Sequence, residues 1–118
     1  MIQKDKELLF KDLCARLPYG VKASTKVGSN ITVSFIGVDT IIGEDGDSYD
    51  ISFITPYLFP LSSMTEEQKS QYNFFLTRII DGYDSSLLID WLNKNHFDYR
   101  GLIEKGLAID ATGLNIYY

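Results

Sequence analysis

The spacing of apolar residues changes period twice along the chain. Across residues 4–17, Phe10, Leu13, Cys14 and Leu17 recur at helical spacing and mark one apolar face. Glu7 with Lys11, and Asp12 with Arg16, add acid-first pairs one helical turn apart. Pro18 biases Leu17 away from helical geometry, so the helix should end there. Cys14 falls on the predicted core face, where a free thiol packs as a small hydrophobe.

The period then becomes two. Val21, Ala23 and Thr25 alternate with Lys22, Ser24 and Lys26, the pattern of a half-exposed strand, and Gly28-Ser29-Asn30 reads as a turn. Ile31, Val33 and Phe35 share one face of the next strand and Thr32, Ser34 and Ile36 the other, with Gly37 marking a bulge or the strand's end. Thr40-Ile41-Ile42 gives a short further strand. Glu44-Asp45-Gly46-Asp47 predicts a type I′ hairpin turn, and Tyr49, Ile51 and Phe53 return the chain as another strand. Together these make an antiparallel meander of three or four strands. Pro56 and Pro60 bracket Tyr57-Leu58-Phe59, an expected extended crossing segment, because proline is disfavoured in helices and central strands.

Helical spacing returns after residue 64. Thr65-Glu66-Glu67-Gln68 is a capping box at a helix start; Tyr72, Phe75, Leu76 and Ile79 form the apolar face, and Gly82 follows as a left-handed cap. A second helix starts at Asp84 or Ser85, faces Leu87, Leu88, Trp91 and Leu92 inward, and closes at Asn93 to Asn95. Asp98 caps a short helical turn through Glu104, ended by Gly106, and Leu107-Ala108-Ile109 suggests an edge strand. The expected fold is one α+β domain over residues 1–118: an N-terminal helix, the meander, and two or three C-terminal helices. In its more specific form the meander curls into an SH3-like partial barrel.

Composition narrows function mainly by exclusion. The chain is 45% hydrophobic and 14% aromatic, enough for a core without a metal or disulfide. A single cysteine forbids an intramolecular disulfide, and one Cys with one His cannot fill a zinc site of about four ligands. The amino end lacks the form of a signal peptide, and no apolar run nears the roughly 18 residues of a membrane span, so a cytoplasmic protein without membrane contact is expected. The net charge is −5 and the eleven Lys and Arg are scattered, which disfavours nucleic acid as a partner. An acidic surface leaves basic proteins as partners.

No catalytic or cofactor motif emerges. Counting an EF-hand loop from Asp45 puts Asp50 at the sixth place and Pro56 at the twelfth, so the acids around residue 45 read as a solvated hairpin tip. Gly37, Gly43 and Gly46 lack the spacing of a phosphate loop. A Cys14, His96 and Asp98 triad conflicts with a core position for Cys14, since a reactive thiol needs exposure near positive charge. No metal or cofactor is expected. The densest chemistry lies in residues 96–108. There Arg100 has Glu104 one turn away as a salt-bridge partner, or presents its fork of donors to a carboxylate or phosphate. Most aromatics sit at core spacing. Phe74 and Phe59 fit less easily inside, and with Tyr57 they suggest an exposed apolar patch.

Three segments, residues 12–21 (DLCARLPYGV), 56–67 (PYLFPLSSMTEE) and 96–108 (HFDYRGLIEKGLA), together resemble a recurring set of small uncharacterised proteins encoded by gut bacteria and their prophages or other mobile elements. They cover about a third of the chain, and the resemblance carries no catalytic residue over. Phe59 stands where that family is expected to carry a basic residue, which argues against anion binding by the crossing segment, and the ending Ile109 to Gly113 departs from the pattern. What the resemblance implies is a mobile-element setting.

Three functions follow as expectations. The first is a non-enzymatic interaction or accessory protein whose surface includes Tyr57, Phe59, Tyr99 and Arg100, with another protein as partner. The second is a small-ligand binder or enzyme using His96, Asp98 and Arg100 around a pocket. The third is an acidic inhibitor of a basic or nucleic-acid-binding protein.

Overall fold

The first helix, α1 (Gln3–Arg16), turns a different face inward from the one its apolar spacing predicts. Leu9, Asp12, Leu13 and Arg16 are buried, while Phe10 and Cys14 are exposed. The reason is an ion pair. Arg16 Nε donates to Asp12 Oδ2 at 2.8 Å, so the two charges enter the core as a neutralised unit. Pro18 ends the helix as expected, in a short 3₁₀ turn over Leu17–Tyr19 closed by left-handed Gly20. The computed structural model describes residues 1–38 and 40–117.

The meander forms with four strands, β1 (Lys22–Thr25), β2 (Asn30–Ile36), β3 (Thr40–Gly43) and β4 (Ser48–Asp50), each antiparallel to the next. Val21, Ala23, Thr25, Ile31 and Val33 are buried in the predicted alternation. Phe35 is not: the register of β2 shifts between Val33 and Phe35, which throws that ring to solvent and half-buries Ile36. At the β3–β4 turn only Gly46 has a positive φ, 86°, with Asp45 outside the left-handed region. That is a type I turn with a glycine bulge in place of type I′. The strand expected over Tyr49 to Phe53 stops at Asp50, whose carboxylate accepts from the Ser52 amide and caps a 3₁₀ turn over Ile51–Phe53.

The proline-bracketed segment is a strand, β5 (Ile54–Pro60), in the interior of the sheet. Residues 54–56 pair antiparallel with β1. Tyr57 and Leu58 pair parallel with β7 (Ile109–Asp110), and Phe59 and Pro60 parallel with β6 (Phe97–Asp98). Pro56 and Pro60 each occupy the last position of a pairing block, so their missing N–H groups interrupt no ladder. Among the described residues the sheet has seven strands, in the order β4-β3-β2-β1-β5-β6 with β7 also on β5. It is mostly antiparallel and does not close into a barrel.

Two helices follow, α2 (Glu66–Ile80) and α3 (Ser86–Lys94). The α2 capping box is complete, with the Gln68 amide donating to Thr65 Oγ1 and the Thr65 amide to Gln68 Oε1. Leu88 and Leu92 of α3 are buried as predicted and Leu87 is exposed. Among the described residues no third C-terminal helix forms. Residues 101–106 make turns, held by Asp98 Oδ1 and Oδ2 accepting from the Leu102 and Ile103 amides, each at 2.9 Å.

Two hydrophobic clusters result. Leu9 and Leu13 of α1 pack with sheet residues such as Val21, Ile41 and Leu58 and with Leu102. Met64, Leu88, Leu92 and Phe97 form the second, against the inner sides of α2 and α3. The segment 97–102 spans both clusters.

Candidate functional site

The densest stretch of the sequence lies where the two clusters meet, and it divides into a buried charge network and an open cleft. In the network, the Asp12 carboxylate serves two guanidinium groups. Arg16 donates to it through Nε and Nη2, and Arg100 through Nε at 3.2 Å. Arg16 Nη2 also donates to the Phe97 carbonyl at 2.6 Å. The Tyr99 ring lies against both arginines, 5.4 Å from Arg16 Cζ and 4.8 Å from Arg100 Cζ. Its hydroxyl accepts from Arg100 Nη2 and donates to Asn93 Oδ1. Arg100 thus pairs with Asp12, 88 positions away, and not with Glu104.

The network does not converge with a ligand pocket. Asp98 spends both carboxylate oxygens on the backbone of its own turn. Tyr57 is buried and its hydroxyl donates to Asn30 Oδ1 at 2.7 Å, so it cannot form an exposed patch with Phe59. Of the six residues singled out in the sequence, only Phe59 and His96 line the large cleft.

That cleft, of about 610 Å³, opens between β1, β5, the start of α2 and the end of α3, and the C-terminal tail forms one wall. Lys22, Lys94, Thr65 and Tyr117 line it with Phe59 and His96. Among the described residues its lining contains no Asp or Glu. His96 follows α3 with φ 59°, a left-handed backbone that glycine adopts more cheaply. This bend aims the His96 carbonyl at the Phe59 amide, 2.8 Å away, and so begins β6. The imidazole is buried, its ring stacked on Tyr117 at 3.7 Å and 12°. Burial first, and the Arg16 charge second, push the imidazole down to about 4. Nδ1 is buried with no hydrogen-bond partner among the described residues.

Tyr117 fixes the tail to the sheet. Its hydroxyl accepts from the Lys22 amide at 2.9 Å and donates to the Tyr57 carbonyl at 2.8 Å. Burial pushes this phenol well above its ordinary range. Sequence reasoning missed Tyr117, Lys22 and Lys94 as cleft residues. The Asp12 and Arg16 spacing was visible, but nothing in a spacing distinguishes a buried pair from a solvated one.

A third surface lies on the outer side of the helical hairpin. None of the fifteen residues of α2 is fully buried. Phe74, Ile80, Tyr83 and Leu87 are exposed, and a shallow groove of about 340 Å³ runs past Gln71, Phe74, Phe75 and Trp91. Arg78 bridges two of the rings, with its Cζ 5.5 Å from the Phe74 centroid and 4.2 Å from that of Tyr83. The exposed acids Asp81, Asp84 and Asp90 border this face.

Among the described residues, no three His, Cys, Asp or Glu side chains gather as a metal site. Asp45 accepts instead from the Asp47 amide and the Tyr49 hydroxyl, which orders the hairpin tip. No described helix is long and apolar enough to cross a membrane. Comparison with family models, with curated proteins and with solved structures finds no match.

Proposed function

We propose that this protein is a non-enzymatic interaction module whose docking face is the outer side of α2 and the α2–α3 turn. The observation that carries this reading is that α2 has no fully buried residue while Phe74, Ile80, Tyr83 and Leu87 of the same hairpin stand exposed. Each exposed apolar side chain forgoes part of the roughly 1.5–3 kcal/mol that full burial is worth, which a partner covering it would recover. Asp81, Asp84 and Asp90 outnumber Arg78 at the border, so the fitting partner presents an apolar surface edged with Lys or Arg. The resemblance to small proteins of gut bacteria and their mobile elements supports an accessory role in such an element. The same acidic border is what an inhibitor of a basic protein would need.

The test is photo-crosslinking in the native host from a photoreactive residue at position 74, with mass spectrometry of the product. A crosslinked protein whose contact segment is apolar and basic, lost in a folded Tyr83→Ser variant and weakened by salt, supports the reading. Crosslinks only between copies of this chain would make the face a self-association surface. Crosslinks that persist in the Tyr83→Ser variant, or none at all, would sink it.

A further inference from the structure

The 610 Å³ cleft is a second feature, separate from the α2–α3 face. Its charge runs against that of the chain. The protein carries sixteen Asp and Glu against eleven Lys and Arg, yet among the described residues this cleft has two lysines and a histidine in its lining and no Asp or Glu side chain. Neither Lys22 nor Lys94 has an ion-pair partner among the described residues. The start of α2 adds to this, because Thr65 and Gln68 of its capping box line the cleft and bring the positive end of a fifteen-residue helix to it. Behind the wall, Arg16 lies near enough to His96 to bear on its proton affinity. In the network that holds it, two guanidinium groups share one Asp12 carboxylate. Asp98, the nearest acid in sequence, has both oxygens occupied by the Leu102 and Ile103 amides and does not line the cleft.

His96 is the independent sign of a ligand. It is 6% exposed, lines the cleft, and leaves Nδ1 without a partner among the described residues. That nitrogen is itself closed off from solvent, so the ring meets a molecule in the cleft through its other atoms. Phe59, Phe97 and Tyr117 supply an apolar wall beside the cations. The volume falls within the usual range for small-molecule sites.

We propose that this cleft binds a small organic anion, a carboxylate or phosphate carried on a ring-sized apolar body, with Lys22, Lys94 and the start of α2 seating the anionic group and His96 contacting the bound molecule. The cations come from β1 and α3, so the phenylalanine at position 59 of the crossing segment serves as apolar wall. Charge and apolar surface act together here: the anion needs the lysines, and the body needs the rings.

The experiment is amide and imidazole NMR of the full chain titrated with phenyl phosphate, benzoate and the neutral benzamide. Saturable shifts at Lys22, Lys94 and His96 with phenyl phosphate or benzoate, and none with benzamide, are expected. Whichever anion binds more tightly identifies the head group. An anion beside the imidazole favours its charged form, so the His96 titration should move upward when the probe is bound. A Lys22→Gln, Lys94→Gln variant, with Lys22 half-buried and Lys94 exposed and neither in an ion pair among the described residues, should keep its melting temperature and bind about tenfold more weakly. The proposal is overturned if neither anion shifts the cleft signals saturably, if benzamide binds equally well, if the double variant binds unchanged, or if shifts appear equally at Lys4, in the first turn of α1 and outside the cleft lining.

Discussion

The Asp12 carboxylate on the first helix accepts a hydrogen bond from Arg100 Nε at 3.2 Å, joining residues 88 positions apart. Arg16 fills the rest of that carboxylate, so one acid holds two guanidinium groups at the meeting point of the two hydrophobic clusters.

Removing that acid should be severe. Asp12→Ala leaves Arg16, fully buried, without its charge partner, which costs about 3–5 kcal/mol. Arg100→Ala removes a partly exposed donor and should cost less, about 1–2 kcal/mol. Urea unfolding of the two single variants and the double variant checks this. Strictly additive losses would mean that Asp12 and Arg100 do not interact in solution.

Acid should destabilise the fold through His96. Its folded value is about 4 and its ordinary value 6.5. Between the two, the unfolded chain binds a proton that the folded chain does not. The contribution is therefore complete above about pH 6.5, declines as pH falls, and is fully lost below about 4. Allowing for solvent screening, about 2 kcal/mol is at stake. Urea midpoints of wild type and His96→Gln across this window give the measurement, and the wild type should lose stability more steeply. Parallel curves would show that the imidazole is not held neutral.

Asp98 is structural and its loss should be local as well as global. Asp98→Ala strands the Leu102 and Ile103 amides, at about 1–3 kcal/mol for each, the part-buried Ile103 at the low end. Hydrogen exchange at those two amides should accelerate more than at Ala23 in β1. Uniform acceleration would reduce the effect to global destabilisation.

Cys14 should react in the native state. It is exposed on α1, although partial burial raises its thiol above the ordinary value and slows attack at neutral pH. A thiol reagent should label it without denaturant, faster at higher pH, and Cys14→Ser should change stability by less than about 0.5 kcal/mol. Labelling that requires urea would return Cys14 to the core.

The sequence was most legible where local chemistry decides the structure. Thr65 and Gln68 announced their capping box, Gly46 its turn, and the alternation from Val21 to Val33 its strands, because each depends on neighbours a few positions away. It failed where long-range partners decide. Asp12 and Arg16 counted as polar, so the inward face of α1 was misplaced onto Cys14 and Phe10. The true face became favourable only through Phe97 and Arg100. Pro56 and Pro60 argued against a strand by a rule about interior positions, and they lie at the ends of pairing blocks. Of the site, His96 was singled out from the mixed chemistry of residues 96–108 and Phe59 as an aromatic hard to place inside, though each was assigned to a different surface. Lys22, Lys94 and Tyr117 were not, because nothing local ties a strand lysine to a residue near the far end of the chain.

The long bonds also set a schedule for synthesis. Arg16 waits for the carbonyl of Phe97, 81 positions later, and Lys22 for the hydroxyl of Tyr117, 95 positions later. Translation at roughly 5–20 residues per second leaves α1 and the four-stranded meander outside the ribosome for seconds before those groups emerge. During that interval the inward side of α1 carries charges that nothing has yet enclosed, and β5 has no parallel neighbours. The surroundings of Arg16 and Lys22 are therefore complete only once residues 97–117 are available to close over them.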